Sequence, residues 1–315
     1  MKRNISPWNL KKVTTLKKLA GTGILFTLFC LLLLSGCTKK DTAPQKNGVT
    51  TETKITASFY PLYVMLMNIT DNVPGIKLNL MAPADTGCLH HYHLSPADMK
   101  LVQDTDIMVV NGAHMEEFMD KILDTLDPRF IVTATGDWPL VDENPHVWVS
   151  PTGAIHQVEQ ITEGLCALDA ANSQLYQQNA ANYIAKLQDL RSTMVSELQP
   201  FAGASLITFH EAFPYLAQEF NFSLEGSIER EPDSEPTAKE LVETINLIKE
   251  VQANGKPLAL FAELNYASSA AEVIAKETGL TVHQLDPAVT GILDKDAYLR
   301  AMEYNTTILK EALTR

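Results

Sequence analysis

The chain has 315 residues, with 25 Lys and Arg against 38 Asp and Glu, a formal net charge of −13. That balance argues against nucleic acid and against an electrostatic hold on an anionic membrane, and it suits a cationic ligand. A hydrophobic content of 45% is that of a globular protein and not of a disordered one.

The N-terminus indicates export. Lys2, Arg3, Lys11, Lys12, Lys17 and Lys18 precede an apolar run from Ile24 to Leu34, closed by Leu34-Ser35-Gly36-Cys37. A basic start, a short apolar core and small residues before a cleavage point describe a signal peptide over residues 1–36. The run falls short of the roughly 20 residues that a membrane span needs. The small-small-Cys ending is the lipobox pattern, which implies cleavage before Cys37 and a lipid (diacylglyceryl and palmitate) on Cys37. An uncleaved signal anchor is the plainer alternative. Residues 37–53 are polar and read as a flexible tether. The expected location is extracytoplasmic, with the lipid anchor as the membrane contact.

Without residues 1–36 the chain keeps 19 basic against 38 acidic residues, a net charge of −19. About 265 residues of folded material exceed one typical core and point to two domains. Of four cysteines, Cys30 leaves with the signal and Cys37 takes the lipid, which leaves Cys88 and Cys166. These two can pair in an oxidising compartment, or each can be a buried thiol.

Short apolar runs then alternate with helix-length segments. The predicted strands are Ile55–Tyr60, Leu78–Ala82, Ile107–Asn111 and Phe130–Ala134 in the first half. In the second half they are Leu206–Phe209, Phe222–Ile228, Leu258–Ala262 and Thr281–Leu285. The expected class is α/β, with two lobes of roughly four parallel strands each and flanking helices. The lobes fall at 54–169 and 200–315, joined by a long helix over 170–199. Leu175, Tyr183, Leu187, Leu190, Met194 and Leu198 mark its inward face. At 1.5 Å per residue it is a rod of roughly 40 Å, long enough to serve as a stiff spine; one more surface helix in a single larger domain is the alternative. Thr237-Ala-Lys-Glu240, after the acidic Pro-rich turn 229–236, is a capping box, and the helix it opens should stop near Asn254-Gly255.

Three histidine contexts carry chemistry. His90-His91-Tyr92-His93 follows a strand, His146 stands in Asn144-Pro-His-Val-Trp-Val-Ser-Pro151, and His210 ends a strand in Thr208-Phe-His-Glu-Ala-Phe. Asp286, in Leu285-Asp-Pro287, closes another. In open parallel sheets ligands bind beyond the carboxyl ends of the strands. Two ligands from each lobe would then form an N3O set suited to zinc. Any of His90, His91 and His93 could supply the first imidazole, and Asp286 could simply cap a turn. His114, His156 and His283 lack such a context and read as structural or solvent-exposed.

These motifs, in order, resemble the zinc- and manganese-binding family of ABC-transporter solute-binding lipoproteins, over the whole chain from about Lys54. The elements are H-x-Y-x-x-S-P-x-D (His90 to Asp98), D-I-x-V-V-N-G (Asp106 to Gly112), N-P-H-V-W-V-S-P, F-H-E-A-F-x-Y-L (Phe209 to Leu216), F-A-E (Phe261 to Glu263) and L-D-P. The resemblance implies His90, His146, His210 and Asp286 as metal ligands. It also implies a monomeric receptor, not an enzyme, that delivers Zn2+ to an ABC permease and its ATPase. His91 and His93 replace the acidic or amide residues usual in the family and suggest secondary metal contacts. The long His- and acid-rich loop of many zinc-specific members is missing. Manganese-tuned members often carry Glu at the third ligand position, whereas this chain offers His210, so zinc is expected and Mn2+ is the alternative.

A zinc-dependent hydrolase is the rival from another class. His210-Glu211 begins like H-E-x-x-H, but Pro214 holds the second His position and disfavours that helical arrangement. A metal-chelate receptor would need a wide pocket with no direct ligands, and an adhesin role would leave the metal site unchanged.

Overall fold

The computed structural model describes residues 52–127, 130–228, 236–264 and 269–314. The signal segment, Cys37, the tether up to residue 51 and residues 229–235 of the acidic turn lie outside the described residues.

The eight strands are β1 (Thr53–Ala57), β2 (Ile76–Leu80), β3 (Ile107–Val110), β4 (Ile131–Thr133), β5 (Ser205–Thr208), β6 (Ser223–Ser227), β7 (Leu258–Glu263) and β8 (Val282–Leu285). The described helices are α1 (Tyr60–Ile69), α2 (Pro96–Gln103), α3 (Asp120–Leu123), α4 (Pro151–Leu168), α5 (Ser173–Leu198), α6 (Pro214–Glu219), α7 (Ala238–Ala253), α8 (Ser269–Thr278) and α9 (Ala297–Leu313). Each expected strand is present, shifted by at most a few residues. β1 stops at Ala57 because Pro61, in the first helical turn, starts α1 at Tyr60.

The strands form two wholly parallel sheets with the same order, β2-β1-β3-β4 and β6-β5-β7-β8. Strands such as β3 and β5 are buried along their whole length, as continuous apolar runs covered by helices on both faces require. In both sheets the order reverses between the first and third strands, the point where open α/β sheets bind ligands. The expected capping box is present: Thr237 Oγ1 accepts from Glu240 N at 3.3 Å, and Glu240 Oε2 accepts from Thr237 N at 2.7 Å. Gly255, at φ +70°, follows the helix it opens.

The long helix buries Tyr176, Ala180, Tyr183, Leu187, Leu190, Met194 and Leu198, spaced by three or four residues throughout. Leu175, read from sequence as part of that face, is 39% exposed. It stands eight residues before Tyr183, and eight residues at 3.6 per turn carry a side chain about 80° round the helix. Tyr176 takes the inward place, with its hydroxyl donating to Asp169 Oδ2 at 2.8 Å.

α5 is tied to both halves. Asn179 Nδ2 donates to Ile69 O and Asp71 O at 3.0 and 2.8 Å, while Lys186 and Glu197 pair with Asp296 and Lys310 at 2.8 Å each. Other ties bypass it: Tyr60 Oη donates to Ile292 O at 2.8 Å and Asn68 Nδ2 to Lys295 O at 2.8 Å. One buried apolar cluster runs from Ile55 in β1 to Leu313 in α9, and both sheets belong to one compact unit.

Beyond the ends of β1 and β3 sits a buried carboxylate. Glu116 accepts from Ser58 Oγ (2.7 Å), Asn111 N (2.7 Å) and Gly112 N (3.1 Å). Burial pushes it up to about 7, against those hydrogen bonds, which favour the ionised form. A carboxyl raised on folding contributes stability that is complete below its unfolded value near 4.5 and is lost as pH rises through about 7. Glu116→Gln is expected to flatten the pH dependence of the unfolding free energy between pH 5 and 8 by on the order of 1–3 kcal/mol; an unchanged pH profile in scanning calorimetry would contradict this.

Candidate metal centre

The site forms where the carboxyl ends of both sheets meet. Cys88 and His90 lie on the loop after β2, flanking Leu89, which is fully buried and anchors the one-turn helix Leu89–His91. His146 precedes the short helical turn Val147–Val149, whose three residues are all fully buried. Gly153, in the first turn of α4, lets that turn lie against Val147 O, where any Cβ would clash with the carbonyl. His210 stands two residues past β5, and Glu263 ends β7 beside it.

One ligand atom from each of Cys88, His90, His146 and His210 lies within 4.8 Å of all the others. The imidazole centroids are 4.9 Å apart for His146 and His210, 5.4 Å for His90 and His146, and 6.3 Å for His90 and His210. His146 and His210 are each 2% exposed.

The outer nitrogens are held. His210 Nδ1 donates to Glu263 Oε2 at 2.7 Å, and its buried Nε2 has no hydrogen-bond partner. His146 Nδ1 donates to Asn144 Oδ1 at 3.0 Å, which leaves Nε2 as the acceptor, 3.4 Å from Cys88 Sγ. A carboxylate or amide oxygen on one ring nitrogen fixes the tautomer and turns the other nitrogen's lone pair to a metal. Burial, then the nearby His210 and His90, hold His146 well below the usual imidazole range, so it is neutral. A buried neutral imidazole with an inward lone pair, as at His146, is poor at holding an anion and good at holding a cation.

Further contacts join the two halves at the site. Asn144 Nδ2 donates to Glu211 O at 2.7 Å, and Tyr215 Oη donates to Asn144 O at 2.6 Å. Trp148 Nε1 donates to Pro287 O at 2.8 Å, and its ring lies 5.2 Å from that of His146.

The structure thus brings His90, His146 and His210 together and adds Cys88, whose local sequence indicates only a disulfide partner or a plain thiol. Cys88 and Cys166 are not joined by a disulfide. Asp286 is not in the four-membered cluster: its Oδ1 accepts from Ala288 N at 2.7 Å, and Asn305 clasps its backbone with two 2.7 Å hydrogen bonds. Burial, followed by the Glu263 charge, raises its carboxyl above the usual range, partly offset by the Ala288 bond. His93 is exposed, and the side chain of His91 falls outside the described set. His156 is structural, 2.9 Å from Thr135 O, and His114 pairs with Glu117 at 2.9 Å on the surface. The roles of Glu263 and Asn144 were not legible, although both stand inside motifs noted from the sequence.

A family model described as zinc-uptake complex component A, periplasmic (ZnuA), matches residues 55–312. The zinc-binding lipoprotein AdcA of Streptococcus pneumoniae (strain ATCC BAA-255 / R6) is 29% identical over 314 residues, covering 91% of this chain and 60% of AdcA. This chain therefore spans about 60% of the length of that relative. The high-affinity zinc uptake system protein ZnuA of Bacillus subtilis (strain 168) is 24% identical over 318 residues, 93% of this chain and 97% of that one. Among solved structures, the SBP FpvC of Pseudomonas aeruginosa in complex with Ni2+ superposes with a TM-score of 0.75 at 25% identity, covering 84% of this chain and 97% of FpvC. FpvC is also known in complex with Mn2+.

Proposed function

This chain belongs to the family of zinc-uptake complex component A proteins, and from that premise we propose that it captures Zn2+ and delivers it to an ABC import permease and its ATPase. Members of the family are transport receptors, and the chain is accordingly a binding protein and not an enzyme. The ion would sit among His90, His146 and His210, where the two sheets act as lobes held along α5. Cys37 would carry the lipid that keeps the receptor at the outer face of the cell membrane. No described helix is long and apolar enough to cross a membrane.

The observation that carries the reading is the buried, unpartnered Nε2 of His210, backed by Glu263 and aimed at two further imidazoles. A buried nitrogen with no partner costs about 1–3 kcal/mol, and a bound ion removes that cost. Imidazole donors favour zinc over manganese, which prefers carboxylate and water. The AdcA relative supports zinc, and the Mn2+ complex of FpvC keeps a mixed zinc and manganese receptor as the second reading.

The test is metal competition. Metal-stripped protein offered equimolar Zn2+ and Mn2+ is expected to retain zinc, measured by elemental analysis after dialysis. Preferential manganese retention would overturn the zinc assignment and favour the mixed receptor.

A further inference from the structure

We infer that the Cys88 thiolate is the fourth ligand of the captured ion, so that the cargo class is the sulfur-accepting divalent ions such as Zn2+ and Co2+, with Mn2+ excluded. The inference rests on the histidine cluster being the capture site.

The geometry fits an ion among the four donors. In a tetrahedral site with a Zn–S bond of about 2.3 Å and Zn–N bonds of about 2.0–2.1 Å, sulfur and nitrogen stand about 3.6 Å apart. Cys88 Sγ lies 3.4 Å from His146 Nε2. A thiol–imidazole hydrogen bond would explain that single pair. It would leave the buried Nε2 of His210 unpartnered within 4.8 Å of the same sulfur, whereas one ion completes both. The carboxylate expected as fourth donor, Asp286, has Oδ1 engaged with Ala288 N and is not among the four clustered residues. The buried Leu89 fixes Cys88 and His90 on one turn, so sulfur and imidazole approach the site together.

Coordination needs no oxidant. The S–H bond breaks, its proton leaves to solvent, and the sulfur lone pair forms the metal–sulfur bond. One thiolate and three neutral imidazoles around a divalent ion leave a net charge of +1, as the N3O set would. Thiolate shifts selectivity toward zinc and cobalt and away from manganese.

Two measurements on the purified full chain test this. With Co2+ in place of zinc, the wild type is expected to show visible tetrahedral d–d bands and a near-ultraviolet sulfur-to-cobalt charge-transfer band. Cys88→Ser should keep the d–d bands and lose the charge-transfer band, with the preference for zinc over manganese falling roughly 10–100-fold. Independently, in wild-type protein, Zn2+ should block iodoacetamide at Cys88 while leaving alkylation of Cys166 unchanged, read by peptide mass mapping. The second measurement needs no variant and decides the matter if Cys88→Ser does not fold. Tetrahedral cobalt without the charge-transfer band, or alkylation of Cys88 unaffected by zinc, overturns the thiolate ligand and leaves the histidine receptor standing. No retention of either metal overturns both.

Discussion

Replacing His146 by alanine is expected to lower zinc affinity by about 100-fold. Structural zinc sites bind with about 10–16 kcal/mol, so an equal share for one of four donors is about 3 kcal/mol, and each 1.4 kcal/mol is tenfold. His146 is the suitable target because its role is separable from the fold. The neighbouring Val147, Trp148 and Val149 form the packed core of the turn, and His146 adds an imidazole that Asn144 orients into the site. Competition against a chromophoric chelator measures the loss, and elemental analysis after dialysis shows whether an ion remains. His156→Ala is the control, since His156 binds Thr135 O and lies outside the cluster, and it should keep its zinc. Affinity unchanged in His146→Ala would sink the direct-ligand reading and favour a receptor for a preformed metal chelate.

Trp148→Ala should destabilise the protein by about 3–5 kcal/mol, the usual cost of removing a fully buried aromatic side chain. Trp148 is 0% exposed, meets Phe59 edge-to-face at a centroid distance of 5.0 Å, and donates to Pro287 O from the other half of the molecule. At about 2–4 °C per kcal/mol for a domain of this size, the melting temperature of the metal-free protein falls by roughly 10 °C. Trp148→Phe keeps most of the packing and loses the indole N–H, so it should cost only about 1–3 kcal/mol. Scanning calorimetry with and without zinc separates two effects. Zinc stabilises any variant that still binds it by RT ln(1 + [L]/Kd), so a smaller zinc-induced rise in Trp148→Ala would show that the residue also supports the site. Equal melting temperatures for wild type and Trp148→Ala would refute its place in the junction.

The strands were legible because each is a short apolar run bounded by turn residues, a pattern that local sequence carries. The inward face of α5 was legible too, except at Leu175, where a spacing of eight residues imitated a helical repeat while turning the side chain away from the core. Cys88 was harder. Two residues before His90 it forms a Cys-x-His pair, a short spacing with metal-ligand character, yet one such pair in a loop does not say which way the sulfur points. Asp286, a carboxylate after a strand and inside a motif that implies coordination, stands outside the four clustered donors, with Oδ1 accepting from Ala288 N and its backbone clasped by Asn305.

The amino-acid order by itself determined the two parallel sheets, the long helix between them, the capping box at Thr237, the placing of His210 and Asp286 near strand ends and that of His146 in a turn before a helix. These depend on periodicity, capping and chain reversals, which act over a few residues. Tertiary structure alone decided which donors meet. Cys88 reaches His146 across 58 residues and Glu263 orients His210 across 53. Contacts of that kind follow from how loops from different strands converge, and a metal's choice among donors is settled over separations of an ångström or two.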